Sequence, residues 1–246
     1  MVKTVICMKW GTLYGPEYVN KLYYSVRRNV TGDLRFVCFT DDRAGIIQDV
    51  ECMDLPKITL PYPDSITGWQ KISVWQDPLY DLEGDILFLD IDIVVTSSLD
   101  PLFSYEQNEF VVIDNWTQPG QNIGNTSVFK FPVGRFKHVY DDLMRDTERY
   151  LREFRIEQQY VSAKIPQQKF WPSEWVISFK HSCLPSFPKN LFKAPELPDD
   201  AKIVAFHGKP DPIDALKGEW PAPWYKKFYK HVKPTQWIAE HWREAL

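Results

Sequence analysis

One stretch constrains this chain more than any other: Asp85–Leu99, DILFLDIDIVVTSSL. Ile86, Leu87, Phe88 and Leu89 lead into Asp90, Ile91 and Asp92, and Ile93, Val94 and Val95 follow. A run this apolar fits a strand buried on both faces, as in a parallel sheet covered by helices. Two carboxylates inside it are costly to bury unless a cation or hydrogen-bond donors compensate them. On an extended chain, residues i and i+2 project to the same side. Asp90 and Asp92 can therefore converge on one ion.

The flanking chain predicts an α/β fold with a mainly parallel central sheet flanked by helices. Val2–Met8 is a β-branched run, a first strand, and Lys9–Gly15 is a turn holding two glycines. Pro16–Asn29 has Tyr18, Leu22 and Val26 at helical spacing and a proline at its start, a favoured place for one. Leu34–Thr40 is a second strand and runs into Asp41 and Asp42. Strand, loop, helix and strand in this order make a parallel βαβ unit. In open α/β sheets the ligand sits beyond the carboxyl ends of the strands, which places Lys9, Trp10, Tyr14, Asp41 and Asp42 at one rim, with Asp90 and Asp92 at the end of the central strand. Asp41 and Asp42 either accept from a base N–H of the donor or form a turn after the strand.

Val50–Leu55 reads as a short strand. Thr67–Tyr80 reads as a helix that turns Trp69 and Ile72 inward, with Lys71 one turn before Trp75. Further strands are expected at Glu109–Asp114 and Asn125–Phe131, and a long helix with a charged face at Arg135–Arg155. Trp171–Lys180 is partly extended. Ala201–Phe206 is a last strand, and it delivers His207-Gly208-Lys209-Pro210. No repeat, low-complexity tract or linker divides the chain.

Composition narrows the function. A net charge of −4 offers no basic field for nucleic acid. The 10 tryptophans and 12 tyrosines suit a cleft that stacks sugars, and suit a core equally well. Cys7, Cys38, Cys52 and Cys183 form no CxxC pair, which favours a reducing compartment over a disulfide framework or a zinc site. The N-terminus lacks a signal-peptide pattern and no apolar run is long enough to cross a bilayer, so a cytoplasmic protein is expected.

Taken together, the βαβ start, LFLDIDIVV, the Asn-x-x-Val-Phe strand from Asn125 and FHGKP from Phe206 resemble GT-A fold glycosyltransferases. The likeness is to glycosyltransferase family 8, which includes glycogenin and bacterial lipopolysaccharide galactosyltransferases, and it spans most of residues 1–212. It implies a single GT-A (Rossmann-like) domain over 1–246: a nucleotide-sugar half at 1–115, a donor-sugar and acceptor half at 116–212, and a helical, basic-aromatic extension at 213–246. The activity implied is metal-dependent transfer of a sugar from a nucleotide diphosphate donor, usually UDP-linked, with retention. The acceptor would be a saccharide or a lipid-linked glycan.

The same resemblance places the metal on Asp90, Asp92 and His207, with Asp90 also touching the ribose. It places donor contacts on Lys71, Asn125, Gly208 and Lys209, and puts Glu157 on the donor-sugar hydroxyls and Gln158 beside the reacting carbon. Hard oxygens with one imidazole suit Mn²⁺ or Mg²⁺, the nitrogen tilting the choice to Mn²⁺.

Other readings stay open. A haloacid-dehalogenase-type phosphatase also begins hhhhDxD, with Asp90 as nucleophile and Asp92 as general acid, but that motif normally opens its domain. An inverting GT-A transferase would need a base, for which Glu174 or Asp114 could serve. A non-catalytic nucleotide-sugar-binding protein would need only the pocket. Each site residue also has a plainer reading: Lys71 a solvated lysine, Asn125 a turn residue, Glu157 and Gln158 a charged helix end, Trp116 core. Finally, WYKKFYKHVK at 224–233 interleaves rings with lysines, which fits either a docked surface helix or peripheral contact with an anionic membrane at its inner face.

Overall fold

The structure, a computed structural model, describes residues 2–61 and 68–245. The described residues hold ten strands: β1 (Lys3–Lys9), β2 (Leu34–Thr40), β3 (Glu51–Met53), β4 (Asp85–Leu89), β5 (Ile93–Val95), β6 (Val111–Asp114), β7 (Gly124–Pro132), β8 (Lys169–Phe170), β9 (Val176–Ser178) and β10 (Ile203–Ala205). The helices are α1 (Pro16–Arg28), α2 (Asp100–Ser104), α3 (His138–Arg145), α4 (Thr147–Glu153), α5 (Glu157–Lys164), α6 (Pro212–Lys217) and α7 (Trp237–His241).

Seven strands form the main sheet in the order β3-β2-β1-β4-β7-β6-β8. Only β7 runs against the rest, antiparallel to both β4 and β6. The other neighbouring pairs are parallel, so the sheet is mainly parallel, as the sequence predicts. Period-two alternation splits each central strand between two cores. Val5, Cys7, Leu87 and Leu89 pack with Tyr18, Leu22 and Val26 of α1. Ile6, Met8, Ile86 and Phe88 pack on the other face with Trp69, Trp75, Val139 and Tyr160. Covering both faces is what allows such apolar strands.

The strand order reverses between β1 and β4: from β1 the chain moves outward to β2, and from β4 it moves the other way. Such a switch point opens a crevice at the carboxyl ends of the two strands. Lys9 ends β1, and Asp90 follows β4.

Four expectations need correction. The run from Asp85 to Val95 is not one strand. It breaks at a turn through Ile91 and Asp92, and β5 leaves to form a second sheet, β5-β10-β9. There β10 lies antiparallel to β5 and parallel to β9. The helix expected over 67–80 is a 3₁₀ segment, Gly68–Trp75, while Thr67 lies outside the described residues; Pro78 forbids its continuation. The long helix over 135–155 is two helices, because Asp146 starts a new one by accepting from the backbone N–H of Arg149 at 3.3 Å. The C-terminal extension carries one 3₁₀ turn at Trp224–Lys226 between α6 and α7 rather than a surface helix over 224–233.

Candidate active site

The crevice between β1 and β4 holds a pocket of about 180 Å³. Its walls come from both sides of the switch point: Lys9, Trp10 and Tyr14 from the end of β1 and the loop after it, Asp90 and Asp92 from the turn after β4, and Gly68 and Lys71 from the 3₁₀ segment. Asp90 and Asp92 thus share one pocket, although a turn and not an extended strand brings them there.

Polar contacts fix each carboxylate. Lys71 Nζ lies 2.6 Å from Asp90 Oδ1, and its side chain is only 12% exposed. Asp90 N–H donates to Ser127 O at 2.8 Å, tying the turn to β7. The Tyr14 hydroxyl donates to Asp92 Oδ2 at 2.9 Å. Lys71 is therefore the one side-chain cation ion-paired, among the described residues, with a carboxylate of this pocket. Burial, and then the charge of Asp90, push the Asp92 carboxyl up to about 7, against the Tyr14 hydrogen bond and Lys71, which pull it down. Burial works against the Lys71 ammonium too, but Asp90 and Glu157 outweigh it and raise its pKa. Lys9 also lines the pocket but joins no ion pair among the described residues, so Asp92 has no cation in direct contact.

Asn125 and Thr126 of β7 and Glu157 and Gln158 of α5 lie outside the pocket's lining, with Glu157 behind Gly68. Thr126 Oγ1 donates to Glu157 Oε1 at 3.0 Å, and Glu157 is buried. Asn125 is buried beside it, with its Oδ1 accepting from Ser127 N at 3.0 Å. Gln158 Oε1 accepts from Asn115 Nδ2 at 3.3 Å, which fixes the carboxamide orientation. Gly68 allows the closest approach: a Cβ there would stand 2.5 Å from the Glu157 carboxylate.

The residues after β10 behave differently. Ala205 pairs with Ile93, so His207 emerges close to the turn that carries Asp92. Its Nε2 sits 2.8 Å from Ser178 Oγ, and its ring stacks between Trp116 and His181, with centroids 5.7 and 5.6 Å away. Burial first, then Lys180 and His181, push its pKa down to about 4, so the imidazole is neutral at pH 7. Among the described residues, however, no three His, Cys, Asp or Glu side chains stand together as a metal-binding group. Two carboxylates in one pocket, one of them with no ion-paired cation, fit a hard divalent cation; the imidazole follows the strand paired with β5 but is not gathered with them.

Three expected donor residues are otherwise engaged. Lys209 Nζ lies 2.6 Å from Asp211 and 3.0 Å from Asp214, the capping box of α6. Asp41 Oδ2 accepts from Gly11 N at 2.9 Å and so shapes the loop after β1. Gly208 adopts φ +65°, a value that favours glycine, and serves the turn itself. The cation that does reach the HGKP turn is Lys180, whose Nζ donates to His207 O. Sequence reasoning passed over Lys180 and Gly68 because neither belongs to a recognisable pattern; only the fold brings them to the site.

No protein-family model matches the sequence, and no curated protein matches it. Solved structures do. The galactosyltransferase LgtC, in complex with donor and acceptor sugar analogs, matches with TM-score 0.58 at 15% identity, over 85% of this chain and 88% of LgtC. The chain has a GT-A glycosyltransferase fold. Glycosyltransferase GlyE of Streptococcus pneumoniae matches at TM-score 0.61 and 14% identity, over 86% of this chain and 56% of GlyE. The bifunctional WbbM matches at TM-score 0.62 and 12% identity, over 97% of this chain and 51% of WbbM. An active-site glutamine-to-glutamate mutant of LgtC matches at TM-score 0.59. At such identities the likeness speaks for the fold.

Proposed function

We propose that this chain is a metal-dependent glycosyltransferase that moves a sugar from a nucleotide diphosphate donor, UDP-linked, to a saccharide or lipid-linked acceptor with retention. The observation that carries the reading is the Asp90–Asp92 pair, only Asp90 of which is ion-paired among the described residues, in the switch-point pocket of a fold shared with sugar transferases. The phosphatase reading fits less well, since a complete β1-α1-β2 unit precedes the motif and Asp199 and Asp200 come before β10, not after it.

Asp90 and Asp92 would hold Mn²⁺ or Mg²⁺, with His207 the further ligand if its ring turns from Ser178. A cation held there would supply Lewis-acid stabilisation of the departing diphosphate. The chain's own groups do the rest. Lys71 adds fixed positive charge beside Asp90, at a cost of about 10²–10³ in rate if removed. Lys9 and Trp10 border the nucleotide, Tyr14 holds Asp92 in place, and Asp41 holds the loop against which the base would lie. Glu157, fixed by Thr126 behind Gly68, would accept from donor-sugar hydroxyls. Gln158, oriented by Asn115, offers a weak acceptor to the oxocarbenium-like transition state. That an active-site glutamine was altered in LgtC is in keeping with this role.

No helix among the described residues is long and apolar enough to cross a membrane. The rings and lysines of 224–233 support peripheral contact with an anionic membrane, where a lipid-linked acceptor would be found; a cytoplasmic location at its inner face follows from that reading.

The test is a thermal-shift panel of nucleotide sugars with and without Mn²⁺. A UDP-sugar is expected to raise Tm only with the metal. If no nucleotide sugar stabilises the fold even with Mn²⁺, the reading is wrong. The anomeric configuration of the product, read by NMR, separates retention from inversion.

A further inference from the structure

A second pocket, of about 440 Å³, lies within residues 218–232 and shares no residue with the site above. Lys227, Lys230, His231 and Trp220 line it, and Glu219 is the only carboxylate among its lining residues. The Trp220 indole N–H is buried and has no hydrogen-bond partner among the described residues. A buried donor without a partner costs stability, and native structures rarely tolerate one without a reason. Lys230 Nζ lies 5.7 Å over the same indole ring. Neither Lys227 nor Lys230 joins a salt bridge among the described residues. An orphan donor beside unpaired ammoniums is the chemistry of an anion site.

The surroundings say which anion. Trp224 is 84% exposed, Phe228 73% and Phe192 80%. Phe192 comes from a loop distant in sequence, which Asn190 fastens to this surface: its Nδ2 donates to the carbonyls of Tyr229 and His231 at 3.1 and 3.0 Å. Phe187 of that loop packs on Phe228, with centroids 5.4 Å apart. Residues 186–193 and 222–233 together carry six lysines and no Asp or Glu. Exposed rings in a purely basic setting complement the interface of an anionic bilayer, where aromatic rings settle at the headgroup level.

We propose that this pocket seats the phosphate of an anionic phospholipid headgroup, while Trp224, Phe228 and Phe192 enter the bilayer interface around it. The proposal deepens the peripheral-membrane reading and rests on it; it is independent of the transfer chemistry. The ammoniums of Lys227 and Lys230 would donate to the phosphate oxygens, and the Trp220 N–H, closed to solvent in the free chain, would find its partner there once the headgroup parts the side chains around it.

The experiment is co-sedimentation of the full chain with phosphatidylcholine vesicles, with and without phosphatidylglycerol. Wild type is expected to bind chiefly the anionic vesicles. Trp220→Phe keeps the ring and removes only the N–H. It should weaken binding about ten-fold, the worth of one hydrogen bond to a charged group, while leaving the melting temperature unchanged or raised. Lys227→Gln with Lys230→Gln should weaken binding about thirty-fold. If Trp220→Phe binds like wild type, whether or not the lysine variant weakens, diffuse charge and the exposed rings do the work: the membrane reading stands and the headgroup site is refuted. Absence of binding to anionic vesicles refutes both. If inorganic phosphate, at the phosphate concentration of the vesicles, displaces them, the site takes free phosphate and the lipid assignment fails. The donor-dependent thermal shift should be untouched in every variant, so its failure would bear on the transferase reading alone.

Discussion

Burial of Asp92 beside Asp90, with no ion-paired cation of its own among the described residues, has a measurable cost when no metal is bound. Its carboxyl titrates near 7 in the folded chain, against an ordinary value of 3.8. A carboxyl raised in this way favours the fold while protonated. That contribution is complete below pH 4 and is lost as pH rises from 4 through 7. The gap spans about three pH units, each worth about 1.4 kcal/mol, so the ceiling is about 4 kcal/mol. Asp92 is half-buried, so water screens part of this, and about 2 kcal/mol is the working figure. Asp92→Asn removes the charge and keeps an oxygen for the Tyr14 hydroxyl. In EDTA at pH 8 the variant should melt about 4–8 °C above wild type, at roughly 2–4 °C per kcal/mol for a chain of this size. The advantage should shrink steadily toward pH 4. With Mn²⁺ the order should reverse, because only wild type gains the ion. Thermal melts at five pH values, each with EDTA and with Mn²⁺, make the measurement. An Asp92→Asn variant that melts at or below wild type in EDTA at pH 8 would refute the argument that Asp92 is buried without adequate compensation.

Two further substitutions probe the same walls. Lys71→Met leaves Asp90 without its 2.6 Å partner and should cost about 3 kcal/mol in EDTA, part of it recovered by Mn²⁺. Calorimetric binding of UDP with Mn²⁺ should weaken at the same time, and unchanged binding would return Lys71 to a purely structural role. Gly68→Ala sets a methyl 2.5 Å from the Glu157 carboxylate. That side chain can give way, so the fold should lose only about 1 kcal/mol. Glu157 would leave Thr126, however, and the stabilising effect of the whole UDP-sugar should fall while that of UDP alone persists. Equal loss for both ligands would mean that Glu157 does not face the sugar.

The first βαβ unit was legible almost to the residue, since Leu34–Thr40 and Pro16–Asn29 are bounded by their own turn and cap chemistry. The Asp85–Val95 run was not. Its apolar residues continue across the break, and neither periodicity nor propensity marks a strand that changes sheets. The break became visible only once β10 paired with β5. The split at Asp146 was readable in principle, because Asp three residues before Arg149 is a cap signal, but the charged face of the helix masked it. Asp90 and Asp92 were found because carboxylates among apolar residues demand compensation. Lys180 and Gly68 went unnoticed because their meaning lies in what stands opposite them. Lys209 illustrates the converse, a residue in a telling motif that the fold spends on Asp211 and Asp214.

The break between β4 and β5 also accounts for how two carboxylates can sit in so apolar a run. Had the run continued as one strand, alternation would have sent Asp90 and Asp92 into one of the two cores, against the cost of burying charge. Instead the main sheet ends at Leu89 and the second begins at Ile93. The residues between them form the turn through which the chain passes from one sheet to the other. That turn is anchored twice: Asp90 N–H donates to Ser127 O on β7, and β5 pairs with β10 immediately after it. The anchors lie in different sheets, so the carboxylates are held where those sheets part and open onto the crevice instead of either core. A position fixed by two sheets is well suited to a group that must hold charge without moving. It predicts that a cavity placed behind the turn, such as Val204→Ala in β10, would loosen metal-dependent stabilisation by more than its thermal cost alone explains. Val204 is fully buried and pairs with Val94, and it lies outside the pocket. Thermal melts in EDTA would give the cost, and the Mn²⁺-induced shift would give the loss at the site. A Mn²⁺ shift equal to that of wild type would show that the second sheet does not position the pair.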